Sequence, residues 1–300
     1  MNYLCIKCAA LGNLKVNFRL LLLATSLHIL FKIMEIAHHT INVNGRLLEL
    51  SEPQVMGIVN ITPDSFFADS RKQSERDIVE RVETILVEGG SMVDVGACST
   101  RPGAQVVSEE EERARLQFAL QVIRSHFPDV ILSVDTFRPQ IAQMAVCDYG
   151  VAMINDVGDA SVPRQEMFSV MGQLKVPYIL MSNCANMHDM LMTFSREVQQ
   201  LHALGVKDII LDPGFGFGKT LDENYLVMHE LDHLHALGLP LLAGISRKSM
   251  IYKALGVTPA EALNGTSVLH GYLLKKGVSI FRVHDVRPAV EAVMLMKRLV

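Results

Sequence analysis

Three compact constellations in this 300-residue chain have residue types and spacings that could do chemistry. The first is LDPGFGFGKT, residues 211–220. Alternating glycines before Lys219-Thr220 invite comparison with the phosphate loop G-x-x-x-x-G-K-[ST], whose backbone N–H groups curl around phosphate oxygens. Counting back from Gly218, the first glycine would have to stand where the chain has Pro213. The spacing is one residue short, and no helix N-terminus is expected where a phosphate loop needs one. The second is HELDH at 229–233, a literal zinc-peptidase H-E-x-x-H. On one continuous helix, Val227, Met228, Leu231 and Leu234 would make the buried stripe and both histidines would face solvent. The third, Cys5 with Cys8, is a lone CxxC with no second pair or nearby histidine, a weak zinc or redox signal.

A fourth set is scattered. Asn60 with Thr62, Asp94, Thr100-Arg101, Asp135, Asn155-Asp156, Met181-Ser182-Asn183, Asp212, Ser246-Arg247-Lys248 and Arg282 with His284 each end or follow a short apolar run. Any one of them could be a turn or a helix cap, which Asp, Asn and Ser favour. Together they divide by chemistry. Asp135, Asn155, Asp212 and Lys248 offer acceptors and donors suited to a flat heterocycle carrying amine and oxo groups. Thr100, Arg101, Arg282 and His284 offer charge and donors suited to a polyanion such as pyrophosphate. In the glycine-rich stretch, Phe215 and Phe217 would supply flat apolar surface beside a bound ring.

A repeating unit must position these groups. Apolar runs at 54–60, 92–97, 130–136, 152–157, 177–182, 208–213, 240–245 and 279–285 read as eight strands, separated by amphipathic helices. Eight strand–helix alternations predict a parallel α/β fold, the eight-stranded (β/α) TIM barrel, with chemistry at the C-terminal strand ends. If strand alternation runs through residue 182, Met181 faces the site and Ser182 faces away. Before the first strand, residues 36–50 read as a β-hairpin turning at Asn44-Gly45. Ser74 is expected to cap the first helix, which Gly89-Gly90 would end. Ser108 with Glu111 resembles a capping box, and Glu109 to Glu112 read as a solvated helix start.

Composition bounds the rest. A net charge of −4 argues against a nucleic-acid surface. Five irregularly placed cysteines point to a reducing compartment, and hence the cytoplasm. Residues 1–33 loosely resemble a leader, but the apolar run LLLLATSLHIL is too short to span a bilayer, so no membrane association is expected. The reading is a dispensable or wrongly assigned extension at 1–33 and one catalytic domain at 34–300.

The motifs MGIVNITPDSF (56–66), STRPGA (99–104), SVDT (133–136), INDV (154–157), LDPGFGFGK (211–219), SRKSM (246–250) and RVHDV (282–286) occur in order. Over roughly residues 35–300 this pattern closely resembles dihydropteroate synthase, the pterin-binding folate-pathway enzyme inhibited by sulfonamides. The resemblance implies a dimeric barrel that condenses 4-aminobenzoate with dihydropterin-methyl diphosphate, releasing pyrophosphate. It implies a Mg²⁺ contact at Asn60, diphosphate ligands or loop residues closing over them at Thr100, Arg101, Arg282 and His284, and a further substrate-binding position at Thr62. Asp135, Asn155, Met181, Asp212 and Lys248 would contact the pterin. Phe66, Pro102, Phe217, Ser246 and Lys248 would wall the aminobenzoate pocket. Asp135, Lys248, Arg282 and His284 are the candidate catalytic groups. Two departures stand out: Met-Ser-Asn at 181–183 where Met-His-Met is frequent, and GACSTRPG where GGESTRPG is common.

Overall fold

The computed structural model describes residues 39–61, 71–98, 107–158 and 164–299. A two-stranded hairpin opens it, β1 (Thr40–Val43) against β2 (Arg46–Glu49). Asn44 and Gly45 both take positive φ, 51° and 82°, the conformation that lets a two-residue turn follow the strand twist. Eight strands follow: β3 (Gln54–Asn60), β4 (Met92–Gly96), β5 (Ile131–Asp135), β6 (Met153–Asp156), β7 (Tyr178–Met181), β8 (Ile209–Asp212), β9 (Leu241–Ala243) and β10 (Val278–Val283). All their pairings are parallel, and β10 closes on β3 to complete the predicted barrel. Among the described residues, no helix is long and apolar enough to cross a membrane.

The outer layer comprises α1 (Arg71–Val87), α2 (Glu109–His126), α3 (Pro139–Tyr149), α4 (Gln165–Leu174), α5 (Met187–Ala203), α6 (Leu221–His229), α7 (Ser249–Leu255), α8 (Leu263–Lys275) and α9 (Val286–Met296). Strand alternation sorts the apolar residues into two cores. Outward residues such as Val93, Val134 and Leu211 pack beneath the helices. Inward residues Met56, Met92, Met153, Ile179, Ile210, Leu242 and Ile280 fill the lower barrel, joined by Ile41, Val43 and Leu50 from the hairpin. Each such side chain, removed from water, contributes about 1.5–3 kcal/mol. The hairpin thus floors the barrel, and Asn44 Nδ2 ties its turn to the Gly150 carbonyl at 3.1 Å.

Several local expectations are corrected. The first described helix begins at Arg71, so Ser74 lies inside it and is buried rather than capping. Its end is as expected: Gly89 takes φ 93° and Gly90 N–H returns to the Ile85 carbonyl at 2.8 Å. Ser108 does cap α2, accepting from Glu111 N–H at 3.2 Å, but the Glu111 carboxylate pairs with Arg115 instead of completing a box. Nor is the acidic run uniformly solvated. Glu112 is fully buried, paired with Arg138 and accepting from Thr136 Oγ1 at 2.7 Å. That burial is tolerable because the charge has both a cation and a hydroxyl.

The HELDH stretch is not one helix. α6 stops at His229, and Leu231–Leu237 continues as a 3₁₀ segment. Val227, Met228, Leu231 and Leu234 are buried as the stripe requires, and His229 and His233 are exposed. A change of helical period between them removes the shared face that zinc would need.

Candidate active site

Above the apolar floor the barrel interior turns polar. Asn60, Gly96, Asp135 and Asn155 are register partners across four adjacent strands. A Cβ on Gly96 would stand 3.4 Å from the Asp135 Cβ, so a residue without a side chain there leaves the Asp135 carboxylate room. One step deeper, Asp94 and Ser133 are register partners, both fully buried. Period-two alternation places them on the inner face.

Arg282, from β10, reaches into this ring. Its Nε donates to Asp94 Oδ2 at 2.6 Å and its Nη2 to Asp135 Oδ2 at 2.7 Å. Asn155 Nδ2 donates to the same Asp94 oxygen at 3.0 Å. Burial works against the charged guanidinium, but Asp94 and Asp135 outweigh it and hold Arg282 more firmly charged than usual. Burial pushes the Asp135 carboxyl up to about 7, with Arg282 pulling the other way and Asp94 adding to the rise. Asp94 Oδ1, Asn155 Oδ1 and Ser133 Oγ are buried and have no hydrogen-bond partner among the described residues. Each such orphan costs about 1–3 kcal/mol. Three together, above a dry floor, mark a place where a polar ligand supplies the missing partners.

The far wall is built by β8, β9 and the loops after them. Asp212 is buried and its Oδ1 accepts from Gly214 N–H at 2.8 Å. Burial raises its pKa, opposed by Lys248. Lys248 Nζ donates to the Phe215 carbonyl at 2.5 Å and lies 4.5 Å from the centre of the Phe217 ring. Burial lowers the Lys248 pKa to about 8, with Asp212 opposing. Met181 is fully buried. Ser246 Oγ accepts from His284 N–H at 3.2 Å. Arg247, between Ser246 and Lys248, has φ 53° and grips Asp285 with two bonds of 2.8 and 2.9 Å. That bidentate fork holds a strained backbone in place.

Beside the mouth end of β3, against α1, lies a cavity of about 320 Å³ lined in part by Asn60, Asp77, Arg81 and His284. Arg81 fastens this side, donating to the carbonyls of Ile58 at 3.0 Å and His284 at 2.8 Å. Asn60 is exposed there. Among the described residues, no group of three or more His, Cys, Asp or Glu could hold a metal by itself. The donor set therefore does not fit a metal caged wholly by the described side chains. One carboxamide oxygen beside an open cavity fits the way Mg²⁺ is held, with water and substrate phosphate oxygens as its other ligands.

Of the residues singled out from sequence, Asp135, Asn155, Arg282, Met181, Asp212, Lys248, Phe217, Ser246, His284 and Asn60 lie at the mouth ends of the strands or in the loops just beyond. Arg282 is engaged by two aspartates rather than standing free for an anion. Thr62, Phe66, Thr100, Arg101 and Pro102 lie outside the described residues. Two expected mouth groups face elsewhere. Asp156 points outward, accepting from the Tyr178 hydroxyl and from Gly158 N–H. Phe215 is fully buried in the layer beneath the helices, so Phe217 alone presents a ring. β7 ends at Met181, and Ser182 is buried with its hydroxyl accepting from Cys184 N–H at 3.2 Å. The backbone ladder runs one residue past the strand, Ser182 N–H donating to the Asp212 carbonyl at 2.9 Å.

Asp94 and Ser133 had no assigned role from sequence. The signal was available: both sit two residues from an inward methionine or aspartate in their strands, MVDVG and ILSVD. The glycine stretch needs a further correction, because a helix N-terminus does follow it. Thr220 caps α6 in a full box with Glu223. The phosphate reading fails because Thr220 and Glu223 already occupy the N–H groups an anion would take, and Lys219 is turned toward carbonyls.

Residues 56–284 match the family described as pterin binding enzyme. A dihydropteroate synthase of Clostridium beijerinckii is 39% identical over 243 residues, 77% of this chain and 88% of its own. That of Escherichia coli K12 is 36% identical over 268 residues, 84% and 94% of the two chains. The structure of Xanthomonas albilineans dihydropteroate synthase with 4-aminobenzoic acid superposes with a TM-score of 0.79 at 32% identity, covering 88% of this chain and 98% of that one.

Proposed function

The chain belongs to the pterin-binding enzyme family and is a dihydropteroate synthase, and on that premise we propose how its residues divide the reaction. The reaction condenses 4-aminobenzoate with dihydropterin-methyl diphosphate to give dihydropteroate and pyrophosphate. In our reading the pterin lies over the floor of the barrel. Its amine and ring N–H groups meet Asp94, Asn155 and Asp212, and its oxo group meets Lys248. The orphaned Asp94 and Asn155 oxygens carry this assignment, because a heterocycle rich in N–H supplies what they lack.

The methylene C–O bond breaks with its electron pair going to the diphosphate, leaving positive charge on the pterin methylene. Asp135, at the mouth edge of β5, offsets that charge. His284 and the 62 and 100–101 positions receive the diphosphate, and Arg282, held by Asp94 and Asp135, adds only its positive charge nearby. When bound, Mg²⁺ at Asn60 would neutralise part of the leaving group's charge. The arylamine attacks with an unprotonated nitrogen at neutral pH, forms the C–N bond and releases its proton to solvent. Phe217, Ser246 and Lys248, with Phe66 and Pro102, wall its pocket. No nucleophilic serine or cysteine is called for.

Pyrophosphate release on mixing the protein with both substrates and Mg²⁺ tests the reading directly. Turnover sustained by Zn²⁺ alone would overturn the Mg²⁺ assignment, and dialysed protein holding stoichiometric zinc, lost on His229→Ala with His233→Ala, would revive the metallopeptidase reading of HELDH.

Three further assignments belong to the same reading. α8 and α9 expose Val268, Tyr272, Met294 and Leu295, apolar area suited to a second copy of this chain in a homodimer. Sedimentation as a monomer at micromolar concentration would count against it. The free thiols Cys98, Cys147 and Cys184 suit a reducing cytoplasm. Finally, a chain beginning at Met34 retains the hairpin and all eight strands, so it should fold and turn over. Insolubility would show that residues 1–33 are needed.

A further inference from the structure

The lysine of the glycine-rich stretch has a function that phosphate binding does not describe. Lys219 Nζ donates to three carbonyls: Ser182 at 3.2 Å, Gly214 at 3.0 Å and Phe217 at 3.3 Å. An ammonium has three N–H donors, so each finds an acceptor. The acceptors come from two different βα loops. Ser182 follows β7, whereas Gly214 and Phe217 follow β8.

These loops meet backbone to backbone. Gly214 has φ 66°, and a Cβ there would stand 2.3 Å from the Ser182 carbonyl oxygen and 3.1 Å from the Met181 side chain. Three carbonyl oxygens converging on one point repel unless a shared donor lies between them. Lys219 is that donor. Around it, Asn224 Oδ1 accepts from Gly216 N–H at 2.7 Å, and Arg164 Nη2 takes the Met181 carbonyl at 2.8 Å. Successive carbonyls at the end of β7 are thus each held by a cation, one from either neighbouring loop.

The clasp has two outputs. Toward β7 it fixes the strand end carrying Met181. Toward β9 it fixes the Phe215 carbonyl and the Phe217 ring, the two groups that locate the Lys248 ammonium. We propose that Lys219 is a positioning residue whose ammonium locks the β7 and β8 loops together and so aims Met181 and Lys248 at the pterin. This rests on the synthase reading above.

The test compares the parent with Lys219→Met, which keeps the stem and removes the donors, and with Lys219→Ala assayed with and without propylammonium. Charge-assisted hydrogen bonds of this kind make the expected rise in pterin-diphosphate Kd and KM roughly tenfold or more, with kcat changed by less than about threefold. Propylammonium should restore affinity to Lys219→Ala, and tetramethylammonium, charged but without N–H donors, should not. If either variant folds only with propylammonium present, affinity is read as the amine is withdrawn, and the same tenfold loss is expected. Unchanged affinity in Lys219→Met, rescue by both cations alike, or a loss confined to kcat would overturn the positioning role while leaving the synthase reading intact. A parent that does not bind pterin diphosphate would overturn both.

Discussion

Asp94 and Arg282 stand 188 residues apart in the chain, yet Arg282 Nε lies 2.6 Å from Asp94 Oδ2. The same oxygen also accepts from Asn155, so one carboxylate fixes the strand carrying the arginine and the strand carrying the amide. β10 and β4 are each neighbours of β3, and the pair spans it across the barrel interior. A charge pair so buried is worth having only where its geometry serves binding, since burial alone cancels most of the Coulomb gain.

Asp94→Asn tests this. Whichever way the amide turns, its NH₂ faces one of the donors now satisfied by Oδ2 or sits where Oδ1 awaits a ligand. Unfolding stability should fall by about 3 kcal/mol, measured by urea titration. Pterin-diphosphate affinity should fall with it. A variant as stable as the parent would show that Asp135 alone suffices for Arg282.

Asp212→Asn should separate binding from folding. The asparagine oxygen can keep the 2.8 Å bond from Gly214 N–H, so the turn survives. Its NH₂ then presents a donor to the pocket where the pterin needs an acceptor. Calorimetry should show pterin binding weakened by about 1–3 kcal/mol, with the melting temperature little changed. Equal affinity for parent and variant would remove Asp212 from the pterin site.

The fold was legible in the sequence because parallel strands buried on both faces leave unbroken apolar runs, and eight of them close a barrel. What resisted reading were interactions between residues far apart in the chain. Glu112 looks like any acid at a helix start until Arg138 and Thr136 are brought to it. Lys219 looks like a phosphate ligand until the Ser182 carbonyl from another loop meets it. Composition does not say which face of the glycine-rich loop is inside, so Phe215 and Phe217 read alike although one is core and the other mouth.

Lys248 supplies a pH prediction. Its folded pKa is lowered to about 8, chiefly by burial. Below that the ammonium is charged and donates; as pH rises through 8 the charge and a donor are lost. The kcat/KM for pterin diphosphate, which reports the free enzyme, should therefore decline above pH 8. Stability should move oppositely. Between pH 8 and the ordinary lysine range the unfolded chain holds the proton and the folded chain does not, so this group's contribution to stability increases with pH. A flat kcat/KM from pH 7 to 9.5 would take Lys248 out of recognition.

Met181→Ala should weaken pterin binding by something on the order of 1–3 kcal/mol, the value of lost apolar burial. Its thioether is fully enclosed in the barrel interior beside the Gly214 backbone. Ser182→His should not be silent, because Ser182 is buried and its hydroxyl holds the Cys184 turn. Parallel titrations of both variants check this, and an affinity unchanged in Met181→Ala would remove the pterin-facing role.

The hairpin that closes the barrel's lower end also governs traffic. With Ile41, Val43 and Leu50 packed among the floor residues, whatever reaches Asp94 enters by the mouth and leaves by it. A dead-end vessel enforces a queue. The deepest guest must arrive first and, joined to its successor, can depart only after the successor's end has cleared the rim. With the pterin lying deepest, as proposed, order of addition would be a property of the container, set by three apolar side chains in its floor.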